Sequence, residues 1–114
     1  YRSDVGDTRY SPVEPFYKNC VLKKAIVDIH DPYVFFWDEL KIQVNNNIDE
    51  KLEMEWDIIV FSTSHSEYKN PEILEKLSKM SGIMIYDTVG LLNNSDIIKL
   101  NKKNKVKVLG RGDI

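Results

Sequence analysis

The polar and apolar positions of this chain switch repeatedly between two periods. Ser11-Pro12-Val13-Glu14 reads as a capping box: the Ser11 hydroxyl accepts from an amide three residues on, and Glu14 reaches back. Pro12 at the first helical position loses no helix hydrogen bond. Val13, Phe16, Tyr17 and Cys20 then recur at helical spacing and predict an apolar stripe. Ala25 to His30 carries Ile26, Val27 and Ile29 and predicts a strand that Asp31-Pro32 ends. Phe35 to Leu40 predicts one helical turn, Lys41 to Val44 a short alternating strand, and Asn47 the cap of a helix reaching about Glu55. Ile58-Ile59-Val60-Phe61 is a continuous apolar run, as in a strand covered on both faces.

The second half repeats the alternation. Asn70-Pro71 predicts an N-cap followed by proline at N1, with Ile73, Leu74, Leu77 and Met80 as the buried stripe. Glu72/Lys76 and Glu75/Lys79 stand at i,i+4 in the favourable order. Gly82 is placed to end the helix, Ile83 to Tyr86 follows as a strand, and Asn94 or Ser95 opens a helix through Leu100. Lys105 to Leu109 closes the series as an alternating strand. Strands that alternate with short amphipathic helices predict βαβ crossovers. The expected fold is α/β: a three-layer, Rossmann-like open sheet, mostly parallel, with helices on both faces. The series opens on a helix, so its first strand is expected before Tyr1, as in a piece of a longer protein. No linker or repeat divides residues 1–114, which predicts a single domain.

Composition narrows the chemistry. A formal net charge of −2 offers no global positive field for nucleic acid or anionic membrane. No apolar run is long enough to span a bilayer and no secretory leader is visible, so a cytoplasmic site is expected. One cysteine, Cys20, permits no internal disulfide, and on an apolar stripe it reads as a core residue rather than a nucleophile. His30 and His65 stand at two strand ends without the companions a zinc site needs. His65 reads as a loop or capping residue, and a Ser64, His65 and Asp87 trio is of a kind that arises by chance in such folds. Lys102, Lys103, Lys105 and Lys107 read as a solvated helix end and a protected strand edge.

In an open α/β sheet, ligands bind outside the carboxyl ends of the strands. Here those ends are His30-Asp31, Ser62 to His65 and Asp87-Thr88, joined by the segment before Ser11. That segment, Arg2 to Arg9, holds two of the chain's three arginines ahead of a helix start, a combination suited to phosphate. A self-satisfied loop is the competing reading. Neither G-x-G-x-x-G nor the P-loop pattern occurs.

Tyr1 to Pro12, with its Asp-Thr-Arg and Ser-Pro steps, resembles the opening of the C-terminal domain of UDP-glucose/GDP-mannose dehydrogenases. His30-Asp31-Pro32-Tyr33-Val34, Thr63-Ser64-His65-Ser66-Glu67-Tyr68, Asp87-Thr88 and Gly110 to Asp113 continue the resemblance in order. The segment Thr63 to Tyr68 is similar to that of members acting on UDP-N-acetylhexosamines.

The resemblance implies the UDP-sugar-binding part of an NAD-dependent 6-dehydrogenase. Such an enzyme oxidises the sugar C6 alcohol to a carboxylate for polysaccharide biosynthesis. Its substrate would be UDP-N-acetylmannosamine, UDP-N-acetylglucosamine or UDP-glucose. NAD, the catalytic cysteine and the homodimer contacts would belong to N-terminal and central domains outside this chain, leaving it inactive alone. By similarity Tyr1 packs near the uracil and Arg2 contacts the nucleotide, while Asp7, Thr8 and Arg9 shape the loop. Val89 stands where many members carry a basic residue, and Arg111 is the candidate to compensate. The alternative is a non-catalytic α/β interaction or regulatory module derived from the same family. A free-standing α/β hydrolase would need a reactive Cys20 or Ser64.

Overall fold

The computed structural model describes residues 13–110, which divide into two compact units, one running through Lys51 and one starting at Leu52. The candidate nucleotide contacts Tyr1 and Arg2, the loop residues Asp7, Thr8 and Arg9, the cap residue Ser11 and Arg111 lie outside the described residues.

The first unit begins with helix α1 (Val13–Leu22). The helix ends in a Schellman motif. The Lys24 amide donates to the Val21 carbonyl at 2.9 Å and the Ala25 amide to the Cys20 carbonyl at 3.0 Å. That motif requires a left-handed residue, and Lys24 supplies it at φ 66° where glycine is the usual occupant. None of the α1 residues is buried; of the expected stripe, Val13 packs on a small core, Tyr17 and Cys20 are half-buried and Phe16 is exposed.

The strand expected over Ala25 to His30 does not form. His30 makes a single parallel bridge to Asn45, and Ile26 is 97% exposed. A strand exists only through its ladder, and here one rung is made. The helical turn expected over Phe35 to Leu40 is instead the first arm of a hairpin. Strand β1 (Phe36–Trp37) pairs antiparallel with β2 (Ile42–Gln43), in the register Phe36 with Gln43 and Trp37 with Ile42. Lys41 turns the corner at φ 55°. Trp37, Val34 and Val44 form a small core, joined by Val13, Ile29, Leu40 and Ile42. Helix α2 (Ile48–Leu52) is shorter than expected; the Asn47 side chain caps it by accepting from the Glu50 amide at 3.2 Å.

The second unit is a regular βαβαβ run. Strands β3 (Ile58–Phe61), β4 (Met84–Asp87) and β5 (Lys105–Val108) form a parallel sheet in that order. Phe61, Asp87 and Val108 stand in one row of the register, and Ile59, Ile85 and Val106 in the next row on the same face. Helices α3 (Pro71–Lys79) and α4 (Asn94–Asn101) connect the strands and pack on one another, as two successive right-handed crossovers in one direction require. Leu77, Ile85, Leu100 and Val106 are almost completely buried between helices and sheet. Each such side chain contributes roughly 1.5–3 kcal/mol relative to exposure.

The helix boundaries follow local chemistry. Asn70 caps α3, its side chain accepting from the Glu72 amide at 2.9 Å, with Pro71 at the first position as expected. Helix α4 opens at Asn94, one of the two expected positions, with Asn93 as its cap. The Asn93 Oδ1 accepts from the Asp96 amide at 2.9 Å while Asp96 Oδ2 accepts from the Asn93 amide at 3.1 Å. Gly82 takes φ 74° beyond the end of α3, and its amide donates to the Lys103 carbonyl at 2.9 Å. The ion pair formed by Glu75 reaches across to Lys99 of α4 at 2.9 Å.

Candidate functional site at the strand carboxyl ends

The carboxyl ends of β3 and β4 are joined by hydrogen bonds from Thr88 to Phe61. Asp87, the last residue of β4, is fully buried. Its Oδ1 accepts from the amides of Val89 at 3.1 Å and Leu91 at 3.0 Å, and its Oδ2 accepts from the Leu92 amide at 2.9 Å. One carboxylate therefore organises the whole β4–α4 turn. Thr88 ties that turn to the neighbouring strand: its amide and its hydroxyl both donate to the Phe61 carbonyl, at 3.1 and 2.7 Å. Gly90 takes φ 69°, which lets the turn reverse without a side-chain penalty. Val89, at the expected basic position, is exposed on this turn.

After β3 the chain enters a 3-10 turn, Ser66–Lys69, with His65 at its N-cap position. The His65 side chain makes no capping hydrogen bond. It is fully buried, with its ring 5.7 Å from that of Tyr68, which in turn lies 5.7 Å from Phe61. Both oxygens of Asp87 face backbone amides, so Ser64, His65 and Asp87 do not assemble as a nucleophile relay. The hydrolase reading loses its Ser64 form with them.

A cavity of about 200 Å³ opens beside these ends, lined by Tyr68, Lys69, Leu74, Leu91, Leu92, Asn93 and Asp96. A whole nucleotide sugar needs the roughly 300 Å³ or more of a small-molecule site, so this space admits only part of one.

In the first unit the corresponding end, His30-Asp31, is also internally organised. Asp31 is buried, and its Oδ1 accepts from the amides of Tyr33 at 2.7 Å and Val34 at 3.1 Å. Asn46 Nδ2 donates to the carbonyls of Asp31 at 2.7 Å and Val34 at 2.9 Å. Among the described residues no group of three His, Cys, Asp or Glu side chains could hold a metal ion. Lys102, Lys103 and Lys105 are exposed, in keeping with a solvated helix end and strand edge. No described helix is long and apolar enough to cross a membrane.

A parallel sheet with organised loops at its carboxyl ends is the architecture of nucleotide-binding α/β domains. Residues 1–94 match the UDP-glucose/GDP-mannose dehydrogenase family, UDP binding domain, and the chain belongs to that family. It is 34% identical to a UDP-N-acetyl-D-mannosamine dehydrogenase of Methanocaldococcus jannaschii, over 99% of this chain and 25% of the relative. A protein of the same name from Methanococcus aeolicus is 30% identical over 98% of the chain and 25% of its own length. The crystal structure of NDP-N-acetyl-D-galactosaminuronic acid dehydrogenase from Methanosarcina mazei Go1 superposes with a TM-score of 0.79 at 26% identity. That match covers 97% of this chain and 23% of the other. The chain thus spans about a quarter of the length of these relatives, and the α/β class expected from the sequence is the class they share.

The resemblance read from the motifs at Tyr1–Pro12, His30–Val34 and Thr63–Tyr68 is therefore upheld at the level of the family. The organising role of Asp87 was not read from the sequence. Its signal was present: an aspartate ending an apolar strand before Thr-x-Gly is placed to accept from the amides of the turn. The buried, tilted ring contact of His65 with Tyr68 had no comparable signal.

Proposed function

We propose that this chain holds the nucleotide of a UDP-sugar in an NAD-dependent 6-dehydrogenase, which oxidises the sugar C6 alcohol to a carboxylate. The observation that carries this reading is the match of residues 1–94 to the family's UDP binding domain. The names of the relatives favour a UDP-N-acetylhexosamine, UDP-N-acetylmannosamine first among them. Tyr1 and Arg2 are the proposed nucleotide contacts, Asp7, Thr8 and Arg9 shape their loop, and Arg111 is a further candidate cation. The enzyme is taken to be a cytoplasmic homodimer serving polysaccharide biosynthesis.

The sequence has no G-x-G-x-x-G loop for NAD, and among the described residues the turn after β4 has the amides of Val89, Leu91, Leu92 and Asn93 taken up by Asp87 and Asp96. NAD and the oxidation itself are assigned to the parts of the enzyme beyond this domain.

Calorimetric titration of the enzyme carrying this chain with UDP tests the reading. Binding is expected, weakened about tenfold or more by Arg2→Ala through loss of a charge-assisted contact. An unchanged affinity removes Arg2 from the site, and no UDP binding by the wild type refutes the function.

A further inference from the structure

We infer that Phe35 and Phe36, on the first arm of the β1–β2 hairpin, are a docking surface. Their occupant is an apolar face of the same enzyme, carried by the polypeptide beyond residues 1–114. This rests on the dehydrogenase reading above for the existence of that polypeptide, and not for its substrate.

The first unit keeps few large apolar side chains inside. Among the described residues its buried apolar residues are Val34, Trp37 and Val44, against eleven from Leu52 onward. Phe35 and Phe36 stand between two of those three, yet they are 70% and 46% exposed. No charged residue interrupts Pro32 to Trp37. Two successive aromatic rings are thus left against water, the composition that marks the centre of an interface.

The backbone that carries the rings is held in place. Asp31 Oδ1 accepts from the amides of Tyr33 and Val34, and Asn46 Nδ2 donates to the carbonyls of Asp31 and Val34. The Val44 amide donates to the Phe35 carbonyl at 3.0 Å. Phe36 pairs with Gln43 across the hairpin, and Trp37 beside it is buried. Rings on a fixed backbone lose little freedom on binding, because each has only two side-chain torsions.

The size of the surface selects the occupant. Two phenylalanines bury roughly 300–500 Å² together. A stable complex of separate molecules needs about 800 Å² from each partner. The pair is therefore too small to hold a second copy of this chain. A face on the same polypeptide is presented at an effective concentration of about millimolar, where a small apolar contact suffices. The chain matches 25% of each relative, so three quarters of each lies outside the match and can supply that face.

The test uses the enzyme carrying this chain. Hydroxyl-radical footprinting compares side-chain oxidation rates in the native and the urea-unfolded enzyme. Phe35 and Phe36 are expected to react at least about fivefold more slowly in the native enzyme, as rings in an interface core do. Ile98, 66% exposed on α4, is expected to stay within about twofold of its unfolded rate, as a singly exposed apolar residue does. This measurement needs no variant to fold. The occupant is read by replacing Phe35 with p-benzoylphenylalanine and irradiating. The expected product has the mass of one chain and is attached beyond residues 1–114. The inference is overturned by native Phe35 oxidising as fast as unfolded, by equal protection of Ile98, by a cross-link between two chains, by an attachment within residues 1–114, or by no cross-link. Titration of the same preparation with UDP reports on the UDP-sugar reading separately, and its failure leaves the cross-link result standing.

Discussion

The two ends of the β3–β4–β5 sheet are held by buried polar side chains of opposite chemistry. At the carboxyl end, Asp87 accepts three backbone N–H groups. At the amino end, Asn104 both gives and accepts. Its Oδ1 accepts from the Ile83 amide at 3.2 Å, and its Nδ2 donates to the carbonyls of Met80 at 2.9 Å and Leu77 at 3.5 Å. The backbone dictates the difference. A turn leading into a helix presents unused donors, whereas the end of α3 presents carbonyls with acceptor capacity to spare near the Ile83 amide that precedes β4. A carboxylate serves the first end, and only an amide with both functions serves the second. The consequence for function is electrostatic. The carboxyl end, where ligands of this fold class bind, carries a fixed negative charge inside its own turn, and the amino end carries none from this source.

The sharpest way to break the comparison is Asp87→Asn. The amide keeps the size but replaces one acceptor with a donor. Placed at Oδ2 it faces the Leu92 N–H; placed at Oδ1 it faces those of Val89 and Leu91. Either orientation leaves a buried donor unsatisfied against another donor, and the expected loss is about 2–4 kcal/mol. Chemical denaturation should show the midpoint falling with little change in slope. A loss smaller than that of Asn104→Ala would show that the turn does not depend on the carboxylate.

At the other end, Asn104→Ala removes all three bonds and leaves the buried Ile83 amide without its acceptor, an expected loss of about 1–3 kcal/mol. Asn104→Asp sharpens the contrast. It keeps an acceptor for Ile83 and turns a negative oxygen toward two carbonyls. That variant should be less stable than wild type at neutral pH and regain stability as acid protonates the new carboxyl and restores a donor. Unfolding curves across the acid range check this. An Asn104→Asp variant as stable as wild type at neutral pH would mean that the two carbonyls need no donor.

Most of the second unit was legible in the sequence because its signals are local. Ile58 to Phe61 and Ile83 to Tyr86 are short apolar runs, and Asn70-Pro71 states the start of α3 outright. The first unit was less legible. Ile26, Val27 and Ile29 carry strand character, but a strand needs a neighbour distant in sequence, and among the described residues only His30 finds one. The hairpin of β1 and β2 was hidden because its corner, like the end of α1, uses lysine at positive φ where glycine would have marked it. Asn104 gave no warning either, since its three partners lie 21 to 27 residues away. At the candidate site the family motifs could be read in order. The commitment of the β4–α4 amides could not, because it depends on where the Asp87 carboxylate points.

The smallest expected effect lies between the two ends, on the helical layer. Glu75 of α3 and Lys99 of α4 make an exposed pair at 2.9 Å. The hydrogen bond from Lys99, then its charge, holds the Glu75 carboxyl below the usual carboxylate range, against a slight opposing effect of burial and with help from Lys79. A carboxyl lowered in the folded state contributes stability above its unfolded value and loses it as pH falls through its folded value. The pair should therefore matter at neutral pH and vanish in acid, and its exposure should make it sensitive to salt. Lys99→Met should return the Glu75 titration, followed by NMR, toward the ordinary carboxylate range. It should also shift the unfolding midpoint far less than either buried substitution. A midpoint loss equal to that of Asn104→Ala would place the stability of this unit in its surface charge and remove the reason for contrasting its two buried ends.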